Sequence, residues 1–383
     1  MSRVRTADHI LFDECIDAFR RERENYIPFI SGPSKSFLLT SFMVNQKWDL
    51  GDCVVYPSKR IDLPGPYSAF ICEVDNPEWV EADNPHLIGI ALSAIISFIA
   101  LKPCKSTRGG RLCKRKQLSK EDLHQLALFN PILTAGNGSE QTSLSKEKED
   151  AICKEVKYVI DLLNKIDYKR YRIVMQSVRM VHLSLINKRD DFGLAYLLVV
   201  SSIESVAQKA IKLDKVNQKN PSEKMWQDKA KHDGLFAELF KAYKDARGKN
   251  KYLKDRYIKF ILDYAPVTKW EEYIPHPMQD WAESIKKADP SHDINYIVGK
   301  KWFEKYPNDL LPHEIKNILS DSYSHRSNFI HQGEQPPHTP NSYDRFFQEY
   351  LVYNNSKIEE KILLNYQSLV GISKYSLINW LKL

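Results

Sequence analysis

The chain has 383 residues, 43% hydrophobic, 11% aromatic and 27% charged. This is the composition of a soluble globular protein with a large core, and the length exceeds one typical core, so two domains are expected. The formal net charge of +7 permits a polyanionic partner without demanding one.

In chain order, the opening MSRVRTADHILFDECIDAFRRERENY is too acidic and too broken for a signal peptide. Ile10, Leu11, Cys15, Ala18 and Phe19 recur at helical spacing and predict a helix over 7–25. From 27 to 75 the runs FLLTSFMV, DCVVYP and SAFICEV alternate with SGPS, LGD and LPGP turns and predict short strands. The apolar run LIGIALSAIISFIAL, 87–101, falls short of the ~20 residues a membrane-spanning helix needs and reads as a buried core helix. The six cysteines, Cys15, Cys53, Cys72, Cys104, Cys113 and Cys153, form no CxxC pair. They are expected to be reduced thiols of a cytoplasmic protein, spaced too widely for zinc.

Residues 102–120, KPCKSTRGGRLCKRKQLSK, carry eight basic side chains and no acidic one. Gly109 and Gly110 predict a loop or hairpin tip, and TAGNGSEQTSLS, 134–145, a second polar loop. From about 146 the pattern is helical: KEKEDAICKEVKYVIDLLNKI, RYRIVMQSVRMVHLSLI and DDFGLAYLLVVSSIESVAQKAIKL are three amphipathic helices. A lysine-rich stretch spans 214–256, irregular connections 270–292, and helices are predicted again from 311 to 332 and from Asp344 through Trp380. The expected fold is mainly α: an N-terminal α+β domain, 1–150, of sensor or regulatory role, then a C-terminal helical bundle, 151–383. The boundary is placed within 135–165.

The stretch SYSHRSNFIHQGEQPPH, 322–338, raises the functional question. Arg326 is followed five positions later by His331. Such spacing also arises by chance, as Arg3 and His9 illustrate. The setting adds weight: Ile318, Leu319, Ser322, Phe329 and Ile330 supply a packed face, Gly333 suits a left-handed helix end, and Pro336 and Pro337 forbid continuation. His331 therefore falls in a final helical turn, where the dipole favours a cation. At 3.6 residues per turn the Arg326 and His331 side chains differ by roughly 140° in azimuth. Upstream, Glu204 projects from the apolar stripe of AYLLVVSSIESVAQKAI, where a carboxylate needs a partner unless it reaches water from the stripe's edge. Arg326 is a candidate partner.

A YLLVVSSIESVA helix followed over a hundred residues later by RSNFIHQG and a proline-bearing loop resembles the Apea-like HEPN domains of the HEPN ribonuclease superfamily. The resemblance covers roughly residues 165–383. It implies a HEPN-like bundle that cleaves RNA without metal or other cofactor: the ribose 2′-OH attacks the adjacent phosphate, leaving a 2′,3′-cyclic phosphate and a 5′-OH. Histidine can act as acid or base near neutral pH, and arginine offers a permanently charged fork for phosphate. By the resemblance Arg326 and His331 are catalytic. Ser327 stands where many members carry Asn, Asp or His, and Glu204 is expected to orient Arg326. The resemblance also implies a homodimer through the HEPN bundle, which brings two Arg–His sets into one cleft. A role in prokaryotic antiviral defence or growth arrest follows, with a trigger or inhibitor acting at the N-terminal domain.

Lys105, Arg108, Arg111, Lys114, Arg115 and Lys116 in the basic run are candidate RNA-steering residues. The run holds no aromatic residue for base stacking, and a solvated loop is the plain alternative. Two further readings stand beside the nuclease: a non-catalytic HEPN bundle binding RNA or a protein partner, and a helical scaffold or DNA-associated regulator working through the basic run. No GxxxxGKS/T, HExxH or GxSxG motif occurs.

Overall fold

The computed structural model describes residues 8–20, 34–63, 68–80, 85–108, 118–132, 144–216, 222–249, 252–274, 276, 279–294, 307–338, 346–354 and 357–383. The described chain is mainly α, with an α+β arrangement in its N-terminal part and a helical C-terminal part.

The sheet contains β1 (Lys35–Thr40), β2 (Trp48–Asp49), β3 (Val54–Val55), β4 (Lys59–Asp62), β5 (Ser68–Asp75) and β6 (Cys104–Ser106). The order is β2-β3-β5-β1-β6, with β4 also on β5, and every pairing is antiparallel. Five of the six β1 residues are buried, because both faces of this strand are covered. On one face, Leu38 and Cys72 join the main core beneath α2 (His86–Ala100). On the other, Phe37, Leu39 and Ile71 form a smaller cluster with Leu118, Leu123, Leu126 and Ala127 of α3 (Lys120–Phe129) and its entry. A capping box starts α3: Asp122 N–H donates to Ser119 Oγ at 3.1 Å and Ser119 N–H to Asp122 Oδ2 at 3.0 Å. As expected, α2 is a core helix, buried on 13 of its 15 residues, and no helix among the described residues is long and apolar enough to cross a membrane. The five described cysteines are free, four of them buried.

The helices that follow are α4 (Lys146–Lys165), α5 (Tyr168–Asn187), α6 (Phe192–Ala210), α7 (Glu223–Lys229), α8 (Gly234–Lys249), α9 (Leu253–Tyr264), α10 (Trp270–Tyr273), α11 (Gln279–Ala288), α12 (Pro312–Gln332) and α13 (Tyr366–Leu381). The opening helix, α1, runs Asp8–Phe19. Side-chain caps fix the starts of α4, α5, α6 and α13: Ser145 accepts from Lys148 N, Asp167 from Arg170 N, Asp191 from Leu194 N and Asn365 from Gln367 N. The central element is α6. Its Ala195, Tyr196, Val199, Val200, Ile203, Val206 and Ala207 are buried, and α5, α9, α12 and α13 pack around it. Each fully buried valine or isoleucine among them contributes roughly 1.5–3 kcal/mol before entropy is subtracted.

The division at residue 150 falls inside α4, and one hydrophobic core runs from Phe12 to Leu381 across it. Polar contacts cross the same junction. Tyr171 Oη donates to Ile16 O at 2.7 Å, and Lys374 Nζ reaches Ile99 O at 2.8 Å and Glu155 at 2.7 Å.

Two expectations on secondary structure are corrected. The helix expected from Asp344 onward is not found at 347–354 and 357–364: β7 (Phe347–Asn354) and β8 (Lys357–Leu364) pair antiparallel with Phe347 opposite Leu364. Pairing buries Phe347, Leu363 and Leu364 and lays β8 on α12, and that burial overrides the helix-forming Glu and Lys of KIEEKILL. The connections at 270–292 contain α10 and α11, the first anchored by fully buried Trp270, whose Nε1–H donates to Ala265 O. The lysine-rich stretch forms the α7–α8 hairpin, no described residue of which belongs to either buried core.

Candidate active site

The site lies where α12 crosses α6. Glu204, on the buried side of α6, is 5% exposed. Arg326 extends from α12 and brings Nη2 to 3.0 Å from Glu204 Oε2. The distance is that of an ion pair, but the angle is not that of a hydrogen bond: among the described residues, neither Glu204 Oε2 nor Arg326 Nε has a hydrogen-bond partner. We regard the pair as electrostatic, since the separation is short and the pair is largely removed from water. The second carboxylate oxygen accepts from Gln208 Nε2 at 3.2 Å.

Two tyrosines back this pair. Tyr323, one turn before Arg326 on α12, places its ring 5.7 Å from the guanidinium carbon. Burial first, and then the neighbouring Glu204 carboxylate, push the Tyr323 phenol up. The Tyr257 ring, from α9, lies 5.5 Å from that of Tyr323. Its phenol is fully buried, without a hydrogen-bond partner among the described residues, and burial pushes it well up. Arg326 is thus anchored on its inner side by a carboxylate and an aromatic wall, while its side chain keeps 21% exposure.

His331 stands exposed in the last turn of α12. The helix starts with Pro312 at its first turn and Leu311 N–H donating to Glu314 at 2.7 Å. It ends at Gly333, whose φ of 68° is left-handed and whose N–H donates to Phe329 O at 3.1 Å. Ser327 is half-buried beside Arg326. His325 points elsewhere: its Nε2 lies 3.1 Å from Tyr350 Oη on β7, and burial pushes its imidazole down.

The structure therefore brings Glu204 and Arg326 into contact and places His331 at the solvent-facing end of the same helix as Arg326. The basic residues are handled differently. The loop or hairpin tip expected at Gly109 and Gly110 lies outside the described residues, and residues 104–106, at the start of the basic run, form the sheet strand β6. Lys105 sits on it half-buried, with Nζ donating to Pro131 O at 2.7 Å, so its ammonium is tied to the fold; burial also pushes it down. Arg108 is exposed just beyond this strand. Arg111, Lys114, Arg115 and Lys116 lie outside the described residues.

Tyr323 and Tyr257 carry no signal in the sequence that links them to the site. Tyr323 is three residues from Arg326 and so shares its helix face, which is the only local clue. Tyr257 arrives from another helix and could not have been found by spacing. No family model, curated protein or solved structure matches the chain, so the site rests on its own geometry.

Proposed function

We propose that the chain is an endoribonuclease that cleaves RNA by attack of the ribose 2′-OH on the adjacent phosphate. The observation that carries this reading is the anchored guanidinium of Arg326, held by buried Glu204 at the rim of the α6–α12 crossing, with exposed His331 five residues further along the same helix. In this scheme Arg326 holds the scissile phosphate and stabilises charge on the phosphorane. His331 transfers a proton, as base toward the 2′-OH or as acid toward the leaving 5′-oxygen. The nucleophile is part of the substrate, so the reaction requires no metal-bound water. Ser327 is available to donate to a phosphate oxygen. A second copy of the bundle supplies the second Arg–His set, so the working unit is a homodimer. The N-terminal sheet shares its core with the bundle and is the place where a trigger or inhibitor acts, in prokaryotic antiviral defence or growth arrest.

A second reading is favoured by the ion pair itself, which ties α12 to α6: a bundle in which Arg326 serves packing alone and the protein binds RNA or a partner without cutting. One experiment separates the two. Purified protein and the His331→Ala variant are incubated with end-labelled RNA in excess EDTA, and the product ends are analysed. Products with 2′,3′-cyclic phosphate ends that vanish in the variant support the nuclease. Equal cleavage by both proteins, or none by either in a preparation that is toxic to cells on induction, overturns it.

A further inference from the structure

We propose that Phe192 and Gly193, at the start of α6, form a seat that holds the last turn of α12 and the segment 334–338, and so act as positioning residues for His331; the proposal rests on the endoribonuclease reading. The side chain of His331 is exposed, so its placement comes from the turn on which it stands. That turn is held from both sides. Before His331, Asn328 Nδ2 donates to Glu334 Oε2 at 2.9 Å, and Phe329 O accepts the Gly333 N–H. After it, the His338 ring stacks on Phe192 with centroids 3.7 Å apart and planes 20° from parallel. Gln348 of β7 donates from Nε2 to Pro337 O at 2.6 Å, and Pro336 is buried. The chain that leaves the helix is thus clamped by α6 on one side and by the β7–β8 hairpin on the other.

Gly193 makes the approach possible. A Cβ added there would lie 2.6 Å from Phe329 Cε2 and 2.8 Å from Gln335 Cδ, with Gln335 Oε1 nearer still. Gln335 is exposed and ends in a flexible amide, so it can swing away. Phe329 cannot do so freely: its ring is half-buried, and its backbone carbonyl closes the helix end two residues from His331. The methyl group therefore acts on Phe329, and through it on the turn that bears the imidazole. Glycine is a poor helix former, and its use in the first turn of the central helix answers to this close approach. Phe192 adds the aromatic floor: its ring also meets Tyr196 and Tyr366 at 6.2 and 5.8 Å, which fixes it for stacking on His338.

The test compares full-length wild type, Gly193→Ala, Gly193→Val, and Gly193→Ala combined with Phe329→Leu. Three quantities are read: the His331 Cε1–H resonance by NMR, assigned through its loss in His331→Gln; the single-turnover rate of RNA cleavage; and the RNA concentration giving half that rate. The expected result is a displaced His331 resonance in both single variants and a rate lowered about 10- to 100-fold in Gly193→Val. Half-saturation should move by less than about twofold, because the loss is of alignment and not of binding. Phe329→Leu, which removes the obstructing ring edge, should return the Gly193→Ala resonance and rate toward wild type. An unmoved resonance in folded Gly193→Ala, or no recovery in the double variant, overturns the seat. Should Gly193→Val fail to fold, the Gly193→Ala pair carries the decision. Should wild type not cleave RNA, the nuclease reading falls, and the resonance comparison alone still decides whether the seat positions His331.

Discussion

Glu149 and Glu204 are both buried carboxylates on helices of one core, and the molecule treats them in opposite ways. Glu149, 1% exposed on α4, receives the backbone N–H of Asn45 at 2.9 Å and of Gln46 at 3.1 Å, Trp48 Nε1 at 3.0 Å and Asn45 Nδ2 at 3.1 Å. All these donors are neutral, and all come from β2 or the connection that leads into it from β1, so the carboxylate fastens the sheet to the helices. Among the described residues, Glu204 has one amide donor and an arginine that approaches without hydrogen-bond alignment, and the Tyr257 hydroxyl nearby has no hydrogen-bond partner. A buried polar network with every group satisfied is architecture.

That contrast can be broken by substitution. The largest effect is expected at His331: replacement by alanine lowers the cleavage rate by about 10²–10⁴-fold, the range for loss of a general acid or base. Stability in urea should change by less than about 0.5 kcal/mol, since the side chain is exposed. Next is Glu149→Ala, which strands several buried donors and should destabilise by roughly 3–5 kcal/mol in urea unfolding, while cleavage per folded molecule stays the same. A change below about 1 kcal/mol would show that Glu149 is no clamp. Glu204→Gln keeps the shape and the Gln208 contact but removes the charge facing Arg326; the rate should fall about tenfold with a small change in unfolding temperature.

The junction itself supplies a pH test. His182 is 3% exposed, with Nε2 2.6 Å from Cys104 O and Nδ1 3.0 Å from Arg179 Nη1. The ring is neutral, donating to the carbonyl and accepting from the arginine. Burial, and then the Arg179 charge, push it from 6.5 to about 3. In the unfolded chain this imidazole takes up a proton below pH 6.5; in the folded chain it does so only near pH 3. The stability it contributes is therefore complete above pH 6.5 and is lost as the pH falls from there toward 3. Urea unfolding from pH 6.5 to 4.5 should lose roughly 1 kcal/mol per pH unit more in wild type than in His182→Gln. Parallel pH profiles would mean that His182 is not buried neutral. The smallest effect is reserved for Lys105→Met. Because its ammonium is engaged by Pro131, RNA affinity and its salt dependence should hold within about twofold. A clear drop in the salt slope would return Lys105 to the RNA interface.

Much of the N-terminal part was legible because its signals are local. FLLTSFMV, DCVVYP and SAFICEV became β1, β3 and β5, and the uniformly apolar 87–101 became α2. The left-handed end at Gly333 was legible for the same reason, since a glycine followed by prolines leaves a helix few alternatives. The β7–β8 hairpin was not. Leu, Glu, Ile and Lys suit a helix in isolation, and only the cross-strand partners and the face of α12 decide otherwise. The change of texture near 150, from strands to helices, is a change of element type, and the hydrophobic core runs across it.

By itself the sequence determined the class of most elements, the end of α12 at Gly333 and the residue types on α12 able to do acid–base and phosphate chemistry. Periodicity, caps and glycines act over a few residues, so they can be read from a few residues. Only the tertiary structure decided which groups meet. Arg326 finds Glu204 across 122 positions, Tyr257 closes in from a third helix, and the last turn of α12 rests on Gly193 because that residue has no side chain to hold it off. Such contacts depend on how helices cross, and crossing geometry is set by the volumes of side chains packed together from the whole chain.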